Sequence, residues 1–196
     1  KVRAVTTKYN KLFNLEMGAN PEITKIAIAN NPDWICLVPE KREEVTTEGG
    51  LNLLNPDVYD RVSLCCTQLR SGLPNIKISL FLESSLDVLK KAKELNADAV
   101  EIHTGEYAKQ FLEGKNYSGI LSDFQKGVDF LHESGINAHA GHGLTLESVL
   151  PLVEQNLFEE YNIGHWIIAE SVFLGIKPVV NSFVKLFSQS EARRKV

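Results

Sequence analysis

Six strand-length apolar runs alternate along this chain with segments that carry helix-start signals, and that alternation restricts the fold more than any single motif. Leu12 to Met17 is followed by Asn20-Pro21, a cap residue with proline at the first helical position, and a helix to Asn30. Trp34 to Val38 leads into a charged loop, Pro39 to Gly50. Asn55-Pro56 repeats the cap-plus-proline signal for a helix that Ser71-Gly72 ends. Ile76 to Leu82 precedes Ser84 and Asp87, spaced as a capping box for a helix to Asn96. Ala99 to His103 is the fourth run, with its partner helix expected within Tyr117 to Ser134. Ile136 to Ala140 and Tyr161 to Ile168 are the fifth and sixth. Between them Thr145 stands ready to cap a helix over Leu146 to Val153. A helix-like segment, Lys1 to Tyr9, opens the sequence, and an amphipathic helix over Pro178 to Ala192 closes it.

Strands that are almost continuously apolar, each followed by a helix, predict a parallel sheet buried on both faces. A doubly wound sheet gathers its ligand residues at one switch point, whereas a β/α barrel draws them from the C-terminal ends of most strands. Unusual polar residues sit near the ends of most of the runs here, so the expected fold is a (β/α)8 TIM barrel. Such a barrel needs eight strands and about 250 residues, and six β/α units are visible in these 196 residues. The expectation is therefore a single barrel domain over residues 1–196, N-terminally incomplete, with its first two units missing. Six strands alone cannot close a barrel, so a doubly wound sheet stays open as the other architecture.

Composition narrows the function classes. A formal net charge of −4 leaves no basic stripe for nucleic acid or an anionic membrane. Cys36, Cys65 and Cys66 are an odd number without metal-ligand spacing, which reads as buried free thiols in a reducing compartment. No apolar run nears the roughly 20 residues of a bilayer span, and the expected location is cytoplasmic.

The chemistry-bearing residues fall at strand ends. Asn137 to Leu146 reads as a short strand, a glycine turn holding His142, and a helix start, where backbone N–H groups and the helix dipole favour an anion. Glu16 lies between Leu15 and Met17, and a carboxylate in a buried strand has its pKa raised unless it is paired. The alternation of Glu101 and His103 with Val100 and Ile102 puts the ionisable pair on one face, inside a barrel. A buried pair of that kind costs several kcal/mol unless it is bonded or used, and a purely structural hydrogen-bonded pair is the bland alternative. His139 follows the same logic, and His165 lies within the sixth run behind Gly164. No histidine or cysteine spacing supports a metal site, and none is expected. The Pro39 to Gly50 loop has the length and glycine hinge of a lid, from which Thr46 and Thr47 could reach a phosphate or hydroxyl.

Five strings together are more specific than any one of them. Asn14-Leu-Glu-Met17, Leu37-Val-Pro-Glu-Lys-Arg42 with Glu44-Val-Thr-Thr-Glu-Gly-Gly50, Glu101-Ile-His-Thr-Gly105, Ala140-Gly-His-Gly-Leu-Thr145 and Asn162-Ile-Gly-His165 resemble the pyridoxine 5′-phosphate synthase family. They run in that family's order to about Gly175. The resemblance implies a barrel with extra helices, a homo-octamer, no cofactor, and condensation of 3-amino-2-oxopropyl phosphate with 1-deoxy-D-xylulose 5-phosphate. The products implied are pyridoxine 5′-phosphate, phosphate and water. Matched by motif, Glu16 resembles the catalytic glutamate, His142 the proton-donating histidine and Glu101 the glutamate that stabilises the transition state. Thr46 matches a contact to the deoxyxylulose phosphate, and Gly143, Gly164 and His165 match contacts to the aminoketone phosphate. The family's N-terminal Asn-x-Asp-His strand, a substrate-binding arginine and a histidine-containing loop are not in this sequence. A polypeptide of these residues alone is therefore expected to be inactive. The alternatives are another phosphosugar aldolase or isomerase on a barrel, and an inactive phosphate-binding barrel fragment.

Overall fold

The computed structural model describes residues 1–40 and 49–194. In chain order its elements are α1 (Val2–Lys8), β1 (Asn14–Gly18), α2 (Pro21–Asn30), β2 (Trp34–Val38) and α3 (Pro56–Gly72). They continue with β3 (Lys77–Leu82), α4 (Leu86–Glu94), β4 (Ala99–His103), α5 (Gly105–Leu112) and α6 (Ser118–Glu133). Last come β5 (Asn137–Gly141), α7 (Leu146–Glu154), β6 (Glu160–Asn162), α8 (His165–Leu174) and α9 (Ile176–Arg194).

The strands form one sheet in the order β1-β2-β3-β4-β5-β6, every neighbouring pair parallel. The order never reverses, so there is no switch point, and the doubly wound alternative is set aside. Parallel crossovers are right-handed almost without exception, so an unreversed order lays the connecting helices on a single face. The side chains obey that division. Ile35, Leu37, Ile78, Leu80, Leu82, Val100, Ile102, Ala138 and Ala140 point to the helix side and are fully buried. Burying each of the larger ones contributes about 1.5–3 kcal/mol, which fixes the register, because a slip of one residue would turn every apolar side chain to the other face. Period two then sends Glu16, Cys36, Ser79, Phe81, Glu101, His103 and Asn162 to the opposite face. Glu16 and Asn162 come from the two outermost strands, about 24 Å apart in a flat sheet at 4.8 Å per strand, yet both border one cavity. The sheet is curled into a six-stranded half-barrel with those polar residues on its concave side.

Two local expectations change. The sixth strand stops at Asn162, and His165 to Leu174 is helix, with Gly164 as its N-cap. A short, wholly apolar run does not distinguish strand from helix by periodicity, and His165 is thus the first residue of α8 rather than a strand residue. Helix α4 takes Ser85 as its N-cap without a side-chain cap bond, so the Ser84–Asp87 capping box does not form. The Asn20 and Asn55 caps do form, as does a reciprocal Thr145–Ser148 box on α7. Helix α5 has no start signal in the sequence, because Thr104-Gly105 reads as a plain turn. Thr46, Thr47 and most of the expected lid fall outside the described residues.

Candidate active site

A cavity of about 1100 Å³ opens at the C-terminal ends of the strands. Its walls include Glu16, Glu101, His142, Gly143, Gly164 and His165, which are all the expected site residues within the described part of the chain. Cys36, Phe81, His103 and Asn162 also border it.

Glu101, on β4, is only 6% exposed. Asn162 Nδ2 donates to its Oε2 at 2.7 Å, and the Cys36 thiol donates to the same oxygen at 3.5 Å. Burial pushes its carboxyl up to about 7; the two hydrogen bonds pull against that, while the charges of Glu16 and Glu160 add to it. The Cys36 thiol is itself driven well up by burial and by Glu101, so it remains a protonated donor. Gly141, in β5 two register positions on from Glu101 towards the strand end, leaves room for this carboxylate. A Cβ there would lie 1.8 Å from Glu101 Oε1.

Glu16 departs from expectation. It is exposed, because β1 is an edge strand of the described sheet and nothing described covers its polar side. It reaches the same cavity nonetheless, and its charge is felt at Glu101.

His142 occupies the turn after β5 with φ of +81°, followed by Gly143 at +76°. Two left-handed residues in succession reverse the chain and lift the imidazole into the cavity mouth, where it is exposed. Thr104 locks the turn from below. Its buried hydroxyl is 2.8 Å from both the Gly141 and the His142 carbonyl oxygens, and its N–H donates to the Gly141 carbonyl at 2.9 Å. The His103 ring lies 5.0 Å from that of His142 and edge-on to Phe81 at 5.4 Å. His103 Nδ1 is 2.9 Å from Glu83 Oε1, an oxygen that also accepts the Gly50 N–H at 3.1 Å.

His139 is not part of the cavity wall. Its ring is buried against Trp34, centroids 5.6 Å apart, with Nδ1 3.9 Å from Glu160 Oε1. Burial lowers its pKa, against the opposing charges of Glu160 and Glu159. Two helix starts also face the cavity. Gly143 to Thr145 lead into α7, while Gly164 to Trp166 begin α8, whose N-cap offers no side-chain acceptor to the first-turn N–H groups. Such a terminus attracts an anion. Among the described residues no three His, Cys, Asp or Glu side chains converge as a metal site would require.

Sequence reasoning missed Cys36, Asn162, Glu83 and Thr104. Asn162 and Cys36 do alternate with apolar neighbours on the polar face, the signal that picked out Glu101. Which strands would bring them to Glu101 depends on the sheet's curl.

A family profile described as "Pyridoxal phosphate biosynthesis protein PdxJ" matches residues 1–189. A relative named pyridoxine 5′-phosphate synthase from Pelagibacter ubique is 40% identical over 175 residues, 89% of this chain and 72% of its own. One of the same name from Zymomonas mobilis is 37% identical over 184 residues, covering 94% and 70%. Among solved structures, 3-keto-L-gulonate-6-phosphate decarboxylase from Vibrio cholerae superposes with a TM-score of 0.59 at 13% identity, over 96% of this chain and 78% of that one. At that identity the likeness speaks for the fold alone. The agreement over nearly the whole sequence is what decides the lineage of this cavity: the chain belongs to the PdxJ family of pyridoxal phosphate biosynthesis proteins.

Proposed function

We infer that this chain is a pyridoxine 5′-phosphate synthase, condensing 3-amino-2-oxopropyl phosphate with 1-deoxy-D-xylulose 5-phosphate to pyridoxine 5′-phosphate, phosphate and water. The observation that carries this reading is a carboxyl held at about 7, on a cavity wall that it shares with His142, His165 and two helix starts. Imine formation, loss of phosphate and successive dehydrations need repeated proton transfers. Groups poised near neutrality supply those most effectively.

In this reading Glu16 and His142 exchange protons with the reacting centre, and Glu101 stabilises the charge that develops there. The N–H groups around Gly143, and those of Gly164 and His165 at the start of α8, hold the aminoketone phosphate. Thr46 contacts the deoxyxylulose phosphate. The reading also takes the chain as one (β/α)8 barrel domain in which two further β/α units bridge β6 to β1. The protein is a cytoplasmic homo-octamer that needs no cofactor. The open edges of β1 and β6 support the barrel, and no helix among the described residues is long and apolar enough to cross a membrane. A Schiff-base aldolase is disfavoured, because no lysine borders the cavity among the described residues.

The test is product formation from the two phosphorylated substrates by the full natural protein, followed as released phosphate and as the new pyridine ring. Both are expected to rise together. Binding of both substrates without ring formation would overturn the assignment.

A further inference from the structure

We propose that His103, held by Glu83, is a second proton-transferring imidazole of this site, meeting the substrate through Nε2 beside His142. The proposal rests on the synthase reading and adds a residue to which the family resemblance assigns no role. The His103 side chain is only 8% exposed, and its Nε2 has no hydrogen-bond partner among the described residues. A buried polar atom left unbonded destabilises the fold, so a ring kept there suits an arriving ligand.

The other nitrogen is committed. Nδ1 lies 2.9 Å from Glu83 Oε1. Burial pushes the Glu83 carboxyl up, but the bonds from His103 and the Gly50 N–H outweigh it, so the carboxyl sits below its ordinary value. An ionised Glu83 accepts the Nδ1 proton and leaves Nε2 as the reacting atom. The arrangement is a base oriented by a carboxylate. No side chain fills the buried corner on the Nε2 side, where Gly105 packs. A Cβ there would lie 2.6 Å from His103 Nε2 and 3.1 Å from His142 Cδ2. A substrate atom entering between the rings would thus meet both.

The step is a dehydration. Nε2 takes a proton from a substrate carbon or nitrogen, and the ring becomes an imidazolium opposite Glu83. The same proton then passes to the departing hydroxyl, which leaves as water, and the ring returns to neutral.

The titratable groups around His103 are Glu83 from the end of β3, Glu101 on the same face of β4 and His142 from the turn after β5. Glu83 bonds to His103 alone among them, so Glu83→Gln isolates the effect. Gln still accepts the Nδ1 proton but brings no charge, which disfavours the imidazolium. The limb of the kcat profile set by His103 then moves to lower pH, whichever direction the proton goes. In the full natural protein, His103→Gln is expected to lower kcat by about 10²-fold, with KM for both substrates nearly unchanged. An unshifted pH profile in Glu83→Gln would overturn the proposal even if His103→Gln failed to fold. So would a His103→Gln protein that turns over normally. If the unsubstituted protein makes no product at all, the synthase reading fails instead.

Discussion

Near pH 7 Glu101 is protonated and ionised in comparable amounts, because burial pushes its carboxyl up to about 7. The stability consequence has a definite sign. The folded state holds this proton more tightly than the unfolded chain, so the contribution is fully present below pH 4.5 and is lost as pH rises through about 7. The loss is on the order of 3 kcal/mol. Glu101→Gln removes the titrating group but retains an acceptor for Asn162. Its unfolding free energy, measured against pH, should lack that decline, while turnover falls by about 10²-fold or more. Parallel stability curves for the two proteins would show that Glu101 titrates normally. His142 sets a different test. Asn tolerates a left-handed backbone better than most residues, so His142→Asn should fold at least as well with φ at +81°. Phosphate binding through backbone N–H groups is expected to persist, with ring formation lost. Inorganic phosphate titrations and product yield check the separation, and a joint loss of both would make the ring a ligand clamp.

At the scale of elements, the two ends of the sheet do different work. At the N-terminal end, an acidic residue just before every second strand reaches back to the strand before it. Asp33, ahead of β2, accepts the Phe13 N–H at 2.7 Å and the Arg3 guanidinium; these bonds hold its carboxyl below the ordinary range. Asp98, ahead of β4, accepts the Ile78 N–H at 3.0 Å and Lys77 at 2.7 Å. Glu159, ahead of β6, accepts the Ala138 N–H at 2.7 Å and is 2.6 Å from His132. All three clamps lie at the end of the strands away from the cavity. Asp98→Ala should therefore cost about 1–3 kcal/mol, the penalty for a part-buried N–H left unbonded, with kcat unchanged. Denaturant unfolding paired with steady-state kinetics tests this, and a drop in kcat without loss of stability would contradict it.

On the scale of the whole molecule, the described sheet has two free edges, β1 and β6, and an apolar helix, α8, with Ile168, Val172, Phe173 and Leu174 exposed. Unpaired strand edges template association with other chains. Under the eight-unit reading, a polypeptide limited to these 196 residues self-associates and makes no product. Joining it to the portion of the Pelagibacter ubique relative that this chain does not span should close the sheet and restore turnover. Light scattering and product formation on both polypeptides decide the matter. A 196-residue polypeptide that is monodisperse and active by itself would refute the eight-unit barrel.

Local chemistry was legible from the residues themselves. Asn-Pro pairs start α2 and α3, Thr145 caps α7, and the alternation around Glu101 places it opposite Val100 and Ile102. These signals depend on neighbours a few positions away, where backbone geometry and period dominate. Tertiary structure decided what period and motif leave undetermined. His165 starts a helix instead of lying in a strand, because a short apolar run satisfies either conformation until packing selects one. Glu16 is exposed because it lies on an edge strand, and Glu101 is buried because the strands on both sides cover it. The value of about 7 at Glu101, and its bonds to Cys36 and Asn162, arise only when the curl of the sheet joins residues 61 and 65 positions apart. Desolvation is a property of the surroundings, and a carboxylate's letter in a sequence does not carry it.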